Sequence, residues 1–150
     1  IVDNGAISGE FPAGGTNTFV VPEGITSMSI IMSGGSESVN GASVYASYDS
    51  NNNVSCAYYP DVSTAGTSPT GVTITRAGVT TTYDVFPSSF NVLPTTTSRT
   101  VTVTAGDVVK WYVYKAPTPI KGTADTACAG ALAPTVGEVG YDGVLLLELT

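Results

Sequence analysis

Any catalysis by this chain would have to rest on carboxylates, because the sequence contains no histidine. That absence removes Ser-His-Asp and Cys-His arrangements and any histidine general base. The Gly-x-Ser-x-Gly elbow, the P-loop and the dinucleotide fingerprint are also absent from the sequence. A glycosidase needs only two carboxylates, and the acids that could supply them are Asp49, Asp61, Asp84, Asp107, Asp125, Glu138 and Asp142. We interpret these scattered acids as turn formers and solubilising charge, and we predict no enzymatic activity and no cofactor.

The chain has few charged residues, and most of them are acidic. The 150 residues include 12 acidic and 5 basic side chains, for a formal net charge of -7. Binding to a phosphate backbone needs clustered Lys and Arg, so we expect no nucleic-acid partner. The longest apolar run, residues 144–147, is far shorter than the roughly 20 residues that cross a bilayer, so we expect no membrane insertion.

Two cysteines, Cys56 and Cys128, permit one disulfide. In an oxidising compartment such a bridge would stabilise the fold by roughly 4 kcal/mol through loop closure. Two buried free thiols packing as small hydrophobes are the alternative. A metal site on these residues is not expected, because there is no Cys-x-x-Cys pair and no histidine.

One short polar segment places oxygen ligands at alternate positions, as a calcium loop does: Asp49, Asn51 and Asn53. Val54 stands where that loop needs glycine, and Pro60 where it needs a bidentate glutamate. We therefore interpret residues 49–53 as a hairpin turn. The glycosylation sequon that starts at Asn53 has meaning only in a eukaryotic secretory route.

The chain shows period-two hydrophobic alternation and no convincing helix, which is typical of β-strands. Strands are predicted over residues 18–21, 25–32, 42–48, 54–59, 72–76, 79–85, 99–104 and 108–114. The residues predicted to share one core are Met28, Ile30, Val101, Val103, Val109, Trp111, Leu145 and Leu147. We predict an all-β, antiparallel β-sandwich of jelly-roll-like type over residues 16–150, preceded by a tether or arm at residues 1–15.

Turn residues divide these strands. Pro22, Glu23 and Gly24 predict a turn that pairs the first two strands, Ala77-Gly78 predicts a hairpin, and residues 105–107 predict another turn. Residues 60–71 and 116–143 are long connections rich in Pro, Gly and Thr. Long loops on a rigid scaffold are common places for binding.

Four tyrosines are candidate ligand-binding residues: Tyr58, Tyr59, Tyr112 and Tyr114. They would form one outward aromatic set if their strands were neighbours. Tyrosine rings stack on sugar faces and offer a hydroxyl, which suits glycan recognition. Packing on a sheet surface or in a subunit interface is the alternative.

Three segments carry a resemblance to a known family. They are Val-Pro-Glu-Gly-Ile-Thr-Ser and its alternating strand at residues 21–33 with Gly34 and Gly35, Thr-Val-Thr-Val-Thr-Ala-Gly-Asp-Val-Val at 100–109, and Gly-Tyr-Asp-Gly-Val-Leu-Leu-Leu at 140–147. In this order they resemble the β-sandwich modules of phage tail fibres, spikes and related virion appendages. The matched segments cover about a quarter to a third of the chain.

The resemblance implies a non-enzymatic structural or attachment module, located on the virion surface or otherwise extracellular. Its expected partners are a host cell-surface glycan or protein, other virion proteins and further copies of itself, most often in a trimer. A secreted or surface-anchored bacterial lectin-like adhesin domain that binds carbohydrate is the alternative. A stable trimer in solution would favour the appendage, and a monomer would favour the adhesin.

Overall fold

The structure is a computed structural model that describes residues 2–3, 6–7, 16–60, 63–64 and 68–150. Most of the predicted arm at residues 1–15 lies outside the described residues. Its described parts are two short strands, and the second of them pairs with the last strand of the chain. Among the described residues, no helix is long and apolar enough to span a membrane.

The regular secondary structure of the described residues is almost entirely β-strand, as the alternating pattern predicts. One short 3-10 helix, Thr126–Cys128, accompanies the strands. The strands are β1 (Val2–Asp3), β2 (Ala6–Ile7), β3 (Thr16–Val20), β4 (Ser27–Ser33), β5 (Ser38–Val39), β6 (Val44–Tyr48), β7 (Val54–Tyr58), β8 (Ser63–Thr64), β9 (Thr70–Arg76), β10 (Val79–Val85), β11 (Thr96–Thr102), β12 (Val108–Tyr112) and β13 (Val144–Leu149).

Two antiparallel sheets form the body of the fold. Sheet A has the strand order β1-β2-β13-β4-β11, and sheet B has the order β10-β9-β12-β3. A single apolar cluster draws its buried residues from both sheets, so the two sheets bury their inner faces against each other as in a sandwich. The all-β, antiparallel prediction is confirmed. Two smaller two-stranded sheets, β5-β8 and the β6-β7 hairpin, are separate from these two.

The composition of the core follows from the period-two hydrophobic alternation of the strands. Successive side chains of a strand point to opposite faces, so one alternating set of β4 and β13 is buried while its neighbours face outward. Seven of the eight predicted core residues are buried, and Val101 is partly buried against the same cluster. The predicted faces of these eight residues are therefore confirmed.

The turns are where predicted, but two of them connect strands that belong to different sheets. Ala77 and Gly78, with φ of 49° and 80°, close the β9-β10 hairpin. The turn at Gly24, where φ is 85°, was predicted to pair the strands on either side. That pairing is wrong, because β3 pairs with β12 in sheet B while β4 pairs with β11 and β13 in sheet A.

The turn at residues 105–107 crosses between the sheets in the same way, from β11 to β12. The two crossings lie side by side, since the Val21 N–H donates to the Asp107 carbonyl at 2.8 Å and the Gly106 N–H donates to the Val21 carbonyl at 2.9 Å. Each crossing segment thus satisfies the backbone groups of the other. Period-two alternation gives the face of each residue but not the partner of each strand.

An ion pair braces this end of the sandwich. The half-exposed Arg76 guanidinium donates to both carboxylate oxygens of Asp107, at 2.8 and 2.6 Å, and the Thr104 N–H donates to the same carboxylate at 2.9 Å. Asp107 is buried. The hydrogen bonds from Arg76 lower the pKa of Asp107, and they outweigh the opposing effect of burial.

Candidate functional site

A cap of irregular chain covers the end of the sandwich opposite those crossings. We define the loop cap as residues 34–44, the β6-β7 hairpin and residues 116–143. Its backbone is firmly paired: the N–H groups of Val39, Gly41 and Val44 donate to the carbonyls of Glu138, Ile120 and Thr123 at 2.8 to 3.0 Å. The long connection that the sequence marked as a binding loop is therefore held against the rest of the cap.

Close backbone approach explains two glycines in the cap. A Cβ on Gly41 would overlap the Thr135 carbonyl oxygen, and a Cβ on Gly122 would overlap the carbonyl oxygen of Ala42. The two chain segments can lie this close only because these positions carry no side chain.

The β6-β7 hairpin is attached to the same long segment at two points. The structure joins Cys56 of β7 to Cys128 of the 3-10 helix in a disulfide, with 5.9 Å between the Cα atoms. The Asp125 carboxylate accepts a hydrogen bond from the Ala46 N–H at 2.8 Å. The hairpin and residues 120–128 therefore form one unit whose surface can hold a defined shape.

A cleft of about 770 Å³ opens in this unit; we call it the loop cleft. The cleft is lined by Tyr59 and Pro60, which follow β7, and by Ile120 and Lys121 of the 116–143 connection. The Tyr59 side chain is 54% exposed. Its ring packs on that of Tyr45 with 4.6 Å between centroids and 44° between planes, which orients the exposed ring.

Polar groups line the rest of the loop cleft. The Asn40 side-chain oxygen accepts from the Ile120 N–H at 3.0 Å, which fixes the amide and leaves its NH₂ group to donate. The Ser43 hydroxyl oxygen accepts from the Thr123 N–H at 3.0 Å and keeps its own proton. With the exposed Lys121 and Asp125, the cleft offers donors and acceptors next to an aromatic ring and an isoleucine.

The four candidate tyrosines are not brought together. Tyr58 and Tyr59 are exposed in the loop cap, and the Tyr58 hydroxyl donates to the Ala133 carbonyl at 2.8 Å. Tyr112 lies on the outer face of sheet B, and β7 is not a neighbour of β12. The single outward set is therefore absent from the structure.

Tyr114 was predicted to face outward, and that prediction is wrong. It is fully buried, its hydroxyl donates to the Ser36 carbonyl at 3.1 Å, and its N–H donates to the Thr70 hydroxyl at 3.0 Å. The physical reason is that β12 ends at Tyr112. Beyond that residue the alternation of a strand no longer applies, and Val113 and Tyr114 are both buried.

Most of the candidate carboxylates accept hydrogen bonds from the backbone. Asp49 accepts from the N–H groups of Asn51 and Asn53 at 2.8 and 2.9 Å, which lowers its pKa and forms the predicted hairpin turn. Asp142 accepts from the Ala116 N–H at 2.8 Å. Asp107 and Asp125 act likewise, and Asp61 lies outside the described residues.

No metal site is present in the part of the chain that the structure describes: it holds no group of three or more His, Cys, Asp or Glu side chains suited to a metal ion.

Two candidate carboxylates have not yet been placed. Glu138 pairs with Val39 through its backbone. Asp84 remains, and it lies near Tyr112 on sheet B. Burial is the main cause that raises the pKa of Tyr112, and the charge on Asp84 raises it further.

Sequence reasoning marked the 116–143 connection but missed Asn40, Ser43, Ile120 and Lys121 as lining residues. No local pattern distinguishes them, because the cleft exists only where two segments 80 residues apart meet. The sequence matches no family model, and neither the curated proteins nor the solved structures yielded a match.

Proposed function

We propose that this protein is a non-enzymatic recognition module that attaches a virion appendage to carbohydrate on a host cell surface. The observation that carries the proposal is the loop cleft, where an oriented, exposed tyrosine ring lies beside an amide, a hydroxyl, an ammonium and a carboxylate. Binding sites commonly combine apolar surface with a few placed polar groups in this way.

A sugar ring suits this set of groups. Its C–H face would stack on Tyr59, whose ring is already supported by Tyr45. Its hydroxyls would accept from the Asn40 NH₂ group and donate to Asp125, and each of these side chains is held by a backbone contact. Pre-positioned side chains lose little conformational freedom on binding, which favours affinity.

The use of the carboxylates supports binding rather than hydrolysis. A glycosidase needs a carboxyl group that is available to protonate the leaving group and a second that faces it across the scissile bond. Backbone and side-chain hydrogen bonds lower the pKa of Asp49, and those from Arg76 lower the pKa of Asp107, which is opposite to the raised pKa of a general acid. Asp125 and Asp142 each accept a backbone hydrogen bond that holds the carboxylate in place.

Attachment would gain strength from symmetry. Several weak sites on one oligomer bind a surface far more tightly than one site does, so we propose a trimer in the full-length context, together with other virion proteins. The Cys56-Cys128 disulfide suits an oxidising exterior, which the virion surface and the secreted adhesin of the alternative proposal share.

Glycan-array binding of the purified protein tests the proposal. Tyr59→Ala should weaken binding to any glycan found roughly 2- to 12-fold, which corresponds to about 0.5 to 1.5 kcal/mol for a lost ring contact. Tyr48→Ala is the matched control, because Tyr48 lies on the same hairpin, is 60% exposed and does not line the cleft.

Equal binding by both variants, or binding by neither the variants nor the parent protein, would contradict the proposal. Release of reducing ends from a host polysaccharide would contradict its non-enzymatic part. Light scattering after size exclusion separates the two biological settings, since a stable trimer supports the appendage and a monomer supports the adhesin.

A further inference from the structure

The outer face of sheet B presents a regular array of side chains. Inter-strand register sets Thr82 of β10 and Lys110 of β12 on either side of Thr73 in β9. In the next row, Asp84 and Tyr112 stand on either side of Gly71. Because directly paired residues point to the same face, these side chains all face outward while Val72 and Ile74 are buried.

Gly71 is buried and lets the two walls of this face, the side chains of β10 and β12, meet at its row. It has no side chain, and a Cβ there would meet the side chain of Asp84 and the backbone of Tyr83. Asp84 and Tyr112 interact across it, since a side-chain hydrogen bond to Asp84 contributes to the raised pKa of Tyr112. The shallow trough of this face is lined instead by Thr73, the next outward residue of β9, and by Lys110 beside it.

The rim of the trough combines two charges with two aromatic rings. Asp84 and Lys110 are exposed on opposite walls. Phe86 is 67% exposed at the end of β10, and Tyr112 is half-buried. Ser68 and Pro69 complete the lining of a space of about 510 Å³, which we call the sheet trough. An exposed phenylalanine beside a carboxylate and an ammonium is hard to explain as core packing.

We propose that the sheet trough is a second carbohydrate site, which binds one neutral hexose unit. The inference takes its ligand class from the proposed function, but it uses none of the residues of the loop cleft. Asp84 would accept hydrogen bonds from two adjacent hydroxyls, Lys110 would donate to a third, and the apolar face of the sugar would pack on Phe86. One carboxylate and one ammonium give the rim no net charge to attract an ionised sugar, which suits a neutral one.

The trough and the loop cleft lie at the same end of the molecule. β10 and β12 both run toward the loop cap, and Phe86 contacts Gly34 of the cap through its backbone. One domain could then hold two sugar units of one branched glycan or of neighbouring chains. Two weak sites on one rigid body raise the effective concentration of the second sugar.

The test is a titration of the ¹⁵N-labelled protein with three neutral probes: methyl β-D-galactopyranoside, methyl β-D-glucopyranoside and methyl α-D-mannopyranoside. We expect at least one probe to shift the amide resonances of Gly71 and Lys110 with millimolar affinity. Phe86→Ala and Asp84→Asn should each weaken that binding by roughly threefold or more. Thr80→Ala is the matched control on the same face, at the opposite end of β10 from Asp84.

The proposal is overturned if no probe shifts these amides up to roughly 100 mM, or if the shifts are equally strong in the Phe86 and Asp84 variants. The experiment tests the two proposed sites independently. Shifts at Asn40 and Lys121 alone support the loop cleft and refute the trough, whereas shifts at Gly71 and Lys110 that survive Tyr59→Ala support the trough whatever the outcome at the cleft.

Discussion

Ile30 and Leu147 face each other across the centre of sheet A, and their truncation tests the sandwich core. The two residues are paired in register between β4 and β13, and both are completely buried. Truncating Leu147 to alanine removes three buried carbons at about 0.8 kcal/mol each, so about 2.4 kcal/mol is lost before any cavity is counted. With the cavity, each single substitution should cost about 2 to 5 kcal/mol.

Urea unfolding followed by tryptophan fluorescence measures this loss, because Trp111 is part of the same cluster. At this chain length, each kcal/mol corresponds to a fall of roughly 2 to 4 °C in Tm. Ile31→Ala is the matched control: Ile31 is the next residue of β4, faces outward and is 39% exposed. We expect it to cost well under half as much as Ile30→Ala.

The double variant sharpens the test. Ile30 and Leu147 would share one cavity, so the cost of the double truncation should differ from the sum of the single costs by at least about 0.5 kcal/mol. Equal costs for Ile30→Ala and Ile31→Ala would refute the assigned faces of β4. Strict additivity of the two core truncations would refute the pairing of β4 with β13.

Three further predictions concern the braces of the fold. Replacing both Cys56 and Cys128 by serine should lower the free energy of unfolding by about 4 kcal/mol for a separation of 72 residues; unchanged urea midpoints for the variant and the parent would contradict this. The pKa of Asp107 is lowered in the folded state, so its stabilisation is present above the ordinary value of 3.8 and is lost as the pH falls through the lower folded value. Urea unfolding measured at several pH values from 7 to 2 should therefore show that Asp107→Asn loses less stability in acid than the parent protein does. An equal loss of stability would reject this role of the carboxylate. Gly122→Ala should force the chain away from the Ala42 carbonyl, so hydrogen exchange should accelerate in the loop cap and stay slow in the sandwich core; uniform protection would show that the close approach is not needed.

The sandwich could be predicted because the sequence patterns that indicate it are local. Alternation in β4 and β12 determines which residues are buried, and the glycine turns at residues 24, 78 and 106 determine where strands end. Both signals operate within a few residues of the chain. They therefore hold whichever strand becomes the neighbour.

The pairing of strands and the shape of the loop cap could not be predicted in this way. β3 and β4 have the alternation and the short turn of a hairpin, yet each finds its partners elsewhere because both inner faces must cover one core. Tyr114 reads as the next outward residue of β12, but its neighbours after the strand ends are Ser36 and Thr70. These contacts join residues 44 and 78 positions apart, and no local pattern encodes them.

The position of β13 in sheet A has a consequence for biosynthesis. This strand is last in sequence order among those described, yet it lies in the middle of the sheet, between β2 and β4. While the ribosome is still adding residues 103–143, β4 has only β11 as a partner and its other edge is open. At about 5 to 20 residues per second, that edge stays unprotected for seconds, which exposes the nascent chain to pairing with other chains. We therefore expect sheet A to close only after β13 has emerged from the ribosome, so that insertion of β13 between β2 and β4 is the last step in forming this sheet.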